Sequence, residues 1–180
     1  VFGSDGNAVA LTADARHYWR VWPRHGAIAI RAAAAGSWGD RNAEHIFSAA
    51  GSGPQSAAFG FGQDAIGLLR GFSEEDVIGT RAIVANVDYR APLMRIDRGV
   101  GTIPLFFRSI HGALFVDAAH AWIDRARWAD VRLSIGAEVS ADTVVGFALP
   151  LTFTAGGAWR RDGDRGARGF VAFGRIGRAF

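Results

Sequence analysis

The sequence predicts an all-β fold and, within that class, an antiparallel transmembrane β-barrel. Three observations lead to this prediction. Apolar and polar residues alternate in several segments, as in strands with one apolar and one polar face. The segments are about 10 to 17 residues long, whereas soluble strands usually have about 5 to 6 and tilted transmembrane strands about 9 to 11. All six Trp residues stand near predicted strand ends, where barrels carry an interfacial aromatic girdle.

Alternation is clearest in three predicted strands. Residues 9–21 place apolar residues at odd positions, with His17 as the exception. Residues 79–91 repeat the pattern with Val84 as the apolar exception, and residues 131–142 show it most cleanly. A period of two fits a strand and no helix.

Four further strands are predicted where apolar segments are bounded by Gly, Pro, Asp or Arg clusters. They cover residues 27–37, 105–122, 147–159 and 168–180. Residues 39–78 break the alternation and are predicted to form one long loop, or a loop that contains a strand at 56–63. We expect residues 1–180 to form a single β-barrel region.

Composition disfavours several classes of function. The chain of 180 residues has no Cys, which excludes a disulfide framework, a zinc–thiolate site and a thiol nucleophile. Its net charge is only +3, and its 20 basic residues, all Arg, are scattered, whereas nucleic-acid binding needs a basic patch. We expect no nucleic-acid partner, no metal and no cofactor.

No signal peptide precedes the first strand, so we expect a processed or truncated N-terminus.

The polar positions of the strands leave two architectures open. Charged residues at these positions, which need partners or water if buried, are Asp14, Arg16, Asp88, Arg90, Asp117, Arg132 and Glu138. They fit a water-filled lumen surrounded by lipid, and equally the solvent face of a sheet that packs its apolar face inside. Strand length and the Trp positions favour the membrane barrel.

Three short segments carry a resemblance to a known family. They are Leu69-Arg70-Gly71-Phe72 in the long loop, residues 115–122 on a following strand, and residues 173–180 at the end of the chain. In this order they resemble the C-terminal barrel of the Omp85 superfamily, the outer-membrane assembly and translocation proteins also called bacterial surface antigen D15. The motifs span about residues 64–180, and the remainder resembles the family by strand pattern.

The resemblance implies a loop docked inside a barrel. In the family, a Val/Ile-Arg-Gly-Phe/Tyr motif on the sixth extracellular loop folds back into the lumen. By this resemblance, Arg70 docks on the inner wall with Asp117 as its carboxylate partner. The implied loop-docking residues are Arg70, Gly71, Phe72, Phe115 and Asp117. The implied seam residues of the terminal strand are Phe173, Gly174, Ile176, Gly177 and Phe180.

The function implied by the resemblance is assembly or translocation of client β-barrel or secreted proteins, without catalysis, in the outer membrane of a Gram-negative bacterium. Outer-membrane lipid and lipopolysaccharide would be further partners. The family barrel has sixteen strands, so the chain corresponds to its C-terminal half or to a small barrel that closes alone. Two alternatives stay open: a passive small porin or structural barrel plugged by the loop, and a soluble β-sandwich or lipocalin-like binding protein.

Other polar residues admit simpler interpretations. The alternative interpretation of Arg70 is a solvated loop residue. Ser109, His111 and Asp117 are residue types found in hydrolases, but along one strand they span about 25 Å at roughly 3.3 Å per residue, so we expect no triad. The arginines flanking a predicted turn meet lipopolysaccharide phosphates or water, of which we favour water. These arginines are Arg160, Arg161, Arg165 and Arg168.

Overall fold

The computed structural model describes residues 6–21, 25–50, 63–65, 67–163 and 166–178, and within them it is all-β. Short 3-10 helices cover Glu74–Asp76 and Trp128–Asp130. The strands are β1 (Ala8–Val21), β2 (Gly26–Gly39), β3 (Ile46–Ser48), β4 (Gln63–Ala65), β5 (Ile78–Gly79), β6 (Arg81–Val100), β7 (Ile103–Trp122), β8 (Arg132–Val145), β9 (Leu149–Asp162) and β10 (Ala167–Arg178). The predicted all-β class is confirmed.

Seven of these strands form one large sheet. Their order is β1-β2-β6-β7-β8-β9-β10, and all neighbours are antiparallel. Each corresponds to one of the seven segments predicted from alternation or apolar character. Within the described residues β1 and β10 are the two edges of the sheet and do not pair with each other, so the sheet is open.

The β6–β7 hairpin is longer than the alternation indicates. Strand β6 continues to Val100, well beyond the predicted end at residue 91. Its register against β7 shifts between Pro92 and Met94 and again between Arg95 and Arg98. Such shifts add residues to one strand and interrupt the alternation of faces, which explains why the period-two pattern stops there.

The segment 39–78, predicted as a loop, contains a small sheet of its own. Strand β3 pairs parallel to β4 and antiparallel to β5. Of the strand predicted at 56–63, residues 56–62 lie outside the described residues, and Gln63 begins β4. The segment packs on one face of the large sheet through a cluster of buried apolar side chains. They include Phe47, Leu69 and Val77 from the segment and Val84 and Ala119 from the sheet.

The two faces of the large sheet have opposite chemistry. We call the face covered by segment 39–78 the inner face; its side chains include Asp117, which is 0% exposed, and Glu138, which is 6% exposed. On the other, outer face Ile135 is 57% exposed and Leu114 is 60% exposed. In its central strands the sheet therefore buries charged side chains on the inner face, beside the apolar cluster, and exposes large apolar side chains on the outer face.

The connections between strands are also unequal. At one end of the large sheet the chain connects strands through residues 40–80, 123–131 and 163–166; at the other end it uses residues 22–25, 101–102 and 146–148. We call these the loop end and the turn end.

Within the described part of the chain no helix is long and apolar enough to cross a membrane.

Candidate functional site on the inner face

Strand register brings polar residues of neighbouring strands together in the middle of the inner face. Asn86 on β6 lies opposite Asp117 on β7, which in turn lies opposite Ser134 on β8. In the next row Asp88 lies opposite Phe115. Directly opposite residues on one face have Cβ atoms about 4.5 to 5.5 Å apart. These rows therefore form a compact polar surface on which the loop residues rest.

Arg70 of segment 39–78 is 0% exposed and binds this surface. Its Nε donates a hydrogen bond to Asp117 Oδ2 at 2.8 Å, and its Nη2 donates to Asp117 Oδ1 at 2.7 Å. The backbone N–H of Arg70 also donates to Asp117 Oδ2, at 3.1 Å. The pair is thus bidentate, the charge-assisted geometry in which an arginine holds a carboxylate most specifically.

Two further carboxylates complete the surroundings of Arg70. Asp88 accepts a hydrogen bond from Arg70 Nη2 and another from Arg90 Nη2 at 2.7 Å. Glu138 Oε1 lies 3.5 Å from Arg70 Nη1 and accepts a hydrogen bond from Arg175 Nη2 at 2.8 Å. The site therefore combines three arginines with three carboxylates. Because the charges balance, burial of Arg70 leaves no net local charge.

An aromatic ring supports the guanidinium from the sheet side. The Arg70 guanidinium carbon lies 3.7 Å from the ring centroid of Phe115, a cation–π contact. Gly136 leaves room for this ring, since a Cβ there would lie 2.6 Å from Phe115 Cζ and 2.1 Å from the carbonyl oxygen of Gly157. The ring of Phe173 on β10 lies 6.1 Å from that of Phe115, centroid to centroid. The docked arginine is thus connected to the terminal strand.

Gly71 and Phe72 attach the loop to β9. Gly71 has φ of +87°, a backbone conformation that glycine adopts without the clash other residues suffer. Its carbonyl oxygen accepts a hydrogen bond from Arg160 Nη1 at 3.1 Å. The same guanidinium lies 5.3 Å from the ring centroid of Phe72, which is buried in the apolar cluster. All three residues of the Arg-Gly-Phe motif therefore contact the inner face or the cluster on it.

Sequence reasoning missed several members of this site. Asn86 donates through Nδ2 to Asp117 Oδ1 at 2.8 Å and also to the carbonyl oxygen of Leu68. Asp88 and Glu138 were expected on the polar face but not as partners of Arg70. The available signal was strand parity, which places all of them on the same face as Asp117.

The protonation of Arg70 follows from its surroundings. Burial alone would lower the pKa of the Arg70 guanidinium, but hydrogen bonds and charge from Asp117 and then Asp88 outweigh burial and raise it above its ordinary value. Arg70 is therefore a permanent cation, suited to holding carboxylates rather than to exchanging protons.

The residue types found in hydrolases do not meet as a catalytic group. Ser109 Oγ donates to Asp142 Oδ2 at 2.9 Å, and His111 Nδ1 lies 3.5 Å from the same oxygen. Ser109 is thus bonded to a carboxylate rather than to the imidazole that would activate it, and Asp117 is bound to Arg70 instead. Among the described residues, no three His, Asp or Glu side chains are grouped to hold a metal ion.

The residues predicted at the seam lie on or beyond β10. Phe173 is half-buried and faces inward, whereas Gly174, Ile176 and Gly177 are exposed. Phe180 lies outside the described residues. Because β10 pairs only with β9 among the described strands, these residues belong to an edge strand.

Fold and site together define an all-β chain whose open antiparallel sheet holds a loop arginine in a buried, charge-balanced cluster. Comparison with known proteins identifies no relative: no family model, no curated protein and no solved structure matches the chain.

Proposed function

We propose that this chain forms part of an outer-membrane β-barrel of the Omp85 type, which assembles or translocates client proteins. The observation that carries the proposal is the docking of the Arg-Gly-Phe motif on a buried polar face whose opposite face is apolar and exposed. A lipid environment outside and water inside suit the two faces.

The outer face supports a lipid environment. One register row across it contains Val116, Ile135, Trp159 and Phe170, and all four are exposed large apolar residues. A contiguous apolar surface of this kind is unusual on a soluble monomer, whereas hydrocarbon surrounds it without free-energy cost. Among the described Trp residues, Trp19, Trp38, Trp122 and Trp159 lie within four residues of a strand end, which fits an interfacial aromatic girdle.

The inner face supports an aqueous lumen. Besides the ion pairs around Arg70, the buried Ser134 Oγ and Glu138 Oε2 have no hydrogen-bond partner within the described residues. Such atoms cost free energy in a dry core but not beside water. Bacterial barrels also combine short periplasmic turns with longer external loops, so the loop end would face outward and the turn end the periplasm.

The proposed mechanism uses the edge strand β10. An edge strand has unpaired backbone N–H and C=O groups that can pair with a strand of another chain. β10 is also coupled to the docked loop, because Phe173 packs on Phe115 and Arg175 bonds Glu138. Pairing of a client strand with β10 would therefore act on the residues that surround Arg70.

A photocrosslinking experiment tests the assembly role. A photoreactive residue replaces Ile176 on β10, and a control variant carries it at Leu114, which is equally outward-facing and exposed but lies on the central strand β7. During assembly of a client barrel, crosslinks to the client are expected from position 176 and not from 114. Absence of client crosslinks from β10 would contradict the mechanism.

Four measurements separate the alternatives. Acceleration of client-barrel folding by liposomes that contain the protein supports assembly, whereas channel conductance without such acceleration indicates a passive barrel plugged by the loop. Quenching of Trp fluorescence by brominated lipids tests the membrane location. A protein that stays in solution without detergent and shows no quenching would instead be a soluble binding protein.

A further inference from the structure

We propose that Arg161 and Arg168, hereafter the arginine pair, bind the phosphate of an anionic lipid headgroup at the outer face. This inference rests on the membrane location proposed above. It adds a specific lipid site at the loop end, on β9 and β10, away from the cluster around Arg70.

The strand register brings the two arginines side by side. Arg168 lies directly opposite Arg161 in the β9–β10 pairing, and both side chains are exposed. Like charges directly opposite each other destabilise a sheet. Neither arginine makes a hydrogen bond or ion pair within the part of the chain that the structure describes. The adjacent carboxylate of Asp162 belongs to the inner-face parity and accepts a hydrogen bond from Arg132 Nε at 2.5 Å.

An apolar platform lies next to the arginine pair on the outer face. Two residues further towards the middle of the sheet, Ile135 pairs with Trp159 and Trp159 pairs with Phe170. Trp159 is 52% exposed and Phe170 is 67% exposed. The Phe170 ring lies over Gly157, where a Cβ would stand 2.4 Å from Phe170 Cζ. The Phe170 side chain therefore extends across the sheet to Gly157 and adds to the apolar platform formed with Trp159.

The spacing of these features matches an anionic lipid. Two residues along a strand span about 7 Å, the scale that separates a lipid phosphate from the start of its acyl chains. Each guanidinium can donate two parallel hydrogen bonds to phosphate oxygens. One phosphate bound between the two arginines would offset their mutual repulsion, because both guanidinium groups would be attracted to its negative charge. Charge complementarity and the adjoining platform thus point to one occupant, a lipid in the bilayer.

The structure separates the four arginines grouped by the sequence. Arg160 faces inward and bonds Gly71, and Arg165 lies outside the described residues. Of the three arginines in this group that the structure describes, Arg161 and Arg168 combine outward parity, exposure and an apolar neighbour row. Water was the favoured interpretation from sequence; for these two residues the register favours phosphate.

Lipid binding to the purified protein in detergent tests the site, with native mass spectrometry as the readout. The probes are phosphatidic acid, phosphatidylcholine with the same acyl chains, and inorganic phosphate. The double variant Arg161→Gln/Arg168→Gln is compared with Arg41→Gln/Arg125→Gln, which removes the same charge from exposed loop positions at the same end. Far-UV circular dichroism verifies that each variant is folded.

The wild type is expected to prefer phosphatidic acid over phosphatidylcholine, and the Arg161/Arg168 variant to lose about tenfold or more in affinity for phosphatidic acid. The Arg41/Arg125 variant is expected to stay within about twofold of the wild type. The Arg161→Lys/Arg168→Lys variant keeps the positive charges but loses the planar guanidinium groups that donate paired hydrogen bonds. Its affinity for phosphatidic acid is therefore expected to lie between those of the two Gln variants.

Four results would overturn the lipid site. Equal losses in the two Gln variants would reduce the effect to general charge attraction, and efficient competition by inorganic phosphate would indicate a free-anion site. No preference for phosphatidic acid in a wild-type protein whose Trp fluorescence is quenched by brominated lipids would refute the site but leave the membrane location standing. Absence of quenching would refute both.

Discussion

Replacing Arg70 by Ala tests the role of the docked loop most directly. The substitution removes both side-chain hydrogen bonds to Asp117 and the one to Asp88. Asp117 is 0% exposed, and of its side-chain partners only Asn86 would remain. Removing one partner of a buried ion pair costs about 3 to 5 kcal/mol, because it leaves an uncompensated charge. Asp88 and Glu138 keep Arg90 and Arg175 as partners. The free-energy cost of the substitution should therefore appear mainly as weaker docking of the loop.

That free energy converts to a large change in loop opening. At about 1.4 kcal/mol per factor of ten, the undocked population rises on the order of 10²- to 10⁴-fold. Hydrogen exchange measures this change, because the Arg70 backbone N–H is itself bonded to Asp117 and exchanges only when that contact opens. We expect faster exchange over residues 67–72 of the variant, and faster cleavage of the loop by proteinase K. Exchange within β7 and β8 should change little.

A matched control is Arg41→Ala, in the same segment, where the arginine is exposed and makes no hydrogen bond or ion pair among the described residues. It should leave exchange at 67–72 unchanged. If Arg70→Ala left both exchange and proteolysis at the wild-type level, the docking interpretation would be refuted.

Asp117→Asn, which keeps the shape of the side chain but removes its charge, should reproduce most of the effect of Arg70→Ala on hydrogen exchange and proteolysis.

Three further predictions concern the glycines of the site and the outer face. Gly71→Ala should weaken docking by about 1 to 2 kcal/mol, seen as faster exchange at 67–72, because Gly71 has φ of +87° and a Cβ there would lie 3.0 Å from that of Ala158. Gly136→Ala should destabilise the sheet by about 1 to 3 kcal/mol in urea unfolding, because its Cβ would overlap Phe115 and the Gly157 carbonyl; unchanged stability would contradict the packing described. Val139→Arg, at an exposed outward position in the middle of β8, should cost about 2 to 4 kcal/mol in liposomes if lipid surrounds it. A change within about 0.5 kcal/mol is the expectation for water.

The charge-balanced cluster around Arg70 determines how the loop docks more than it stabilises the fold. Desolvating several charges largely offsets their attraction, so a buried ion-pair network adds little net free energy compared with apolar packing. The cluster instead favours one arrangement of the loop, since Arg70 meets Asp117, Asp88 and Phe115 in a single position. A loop held in this way is specific in its docking, and Arg175 of β10 shares Glu138 with Arg70.

The agreement between predicted and observed strands also shows which features of the fold depend on local sequence alone. The seven strands of the large sheet, the approximate bounds of most of them and the assignment of their faces could be predicted from sequence, because side-chain direction alternates along one strand whatever its neighbours are. Thus Ile135 and Val139 were assigned to one face and Asp117 and Glu138 to the other. The Arg70–Asp117 contact was expected from the family resemblance, not from the residues themselves, which lie 47 positions apart.

The amino-acid sequence by itself determined where the seven strands of the large sheet form and which of their side chains share a face. Only the tertiary structure decided that Asn86, Asp88 and Glu138 surround Arg70, that Arg160 turns to the loop while Arg161 faces outward, and that β6 extends to Val100. The physical reason is that cross-strand register depends on turns, bulges and packing between distant segments, and a shift by a single residue exchanges the two faces. No local pattern contains that information.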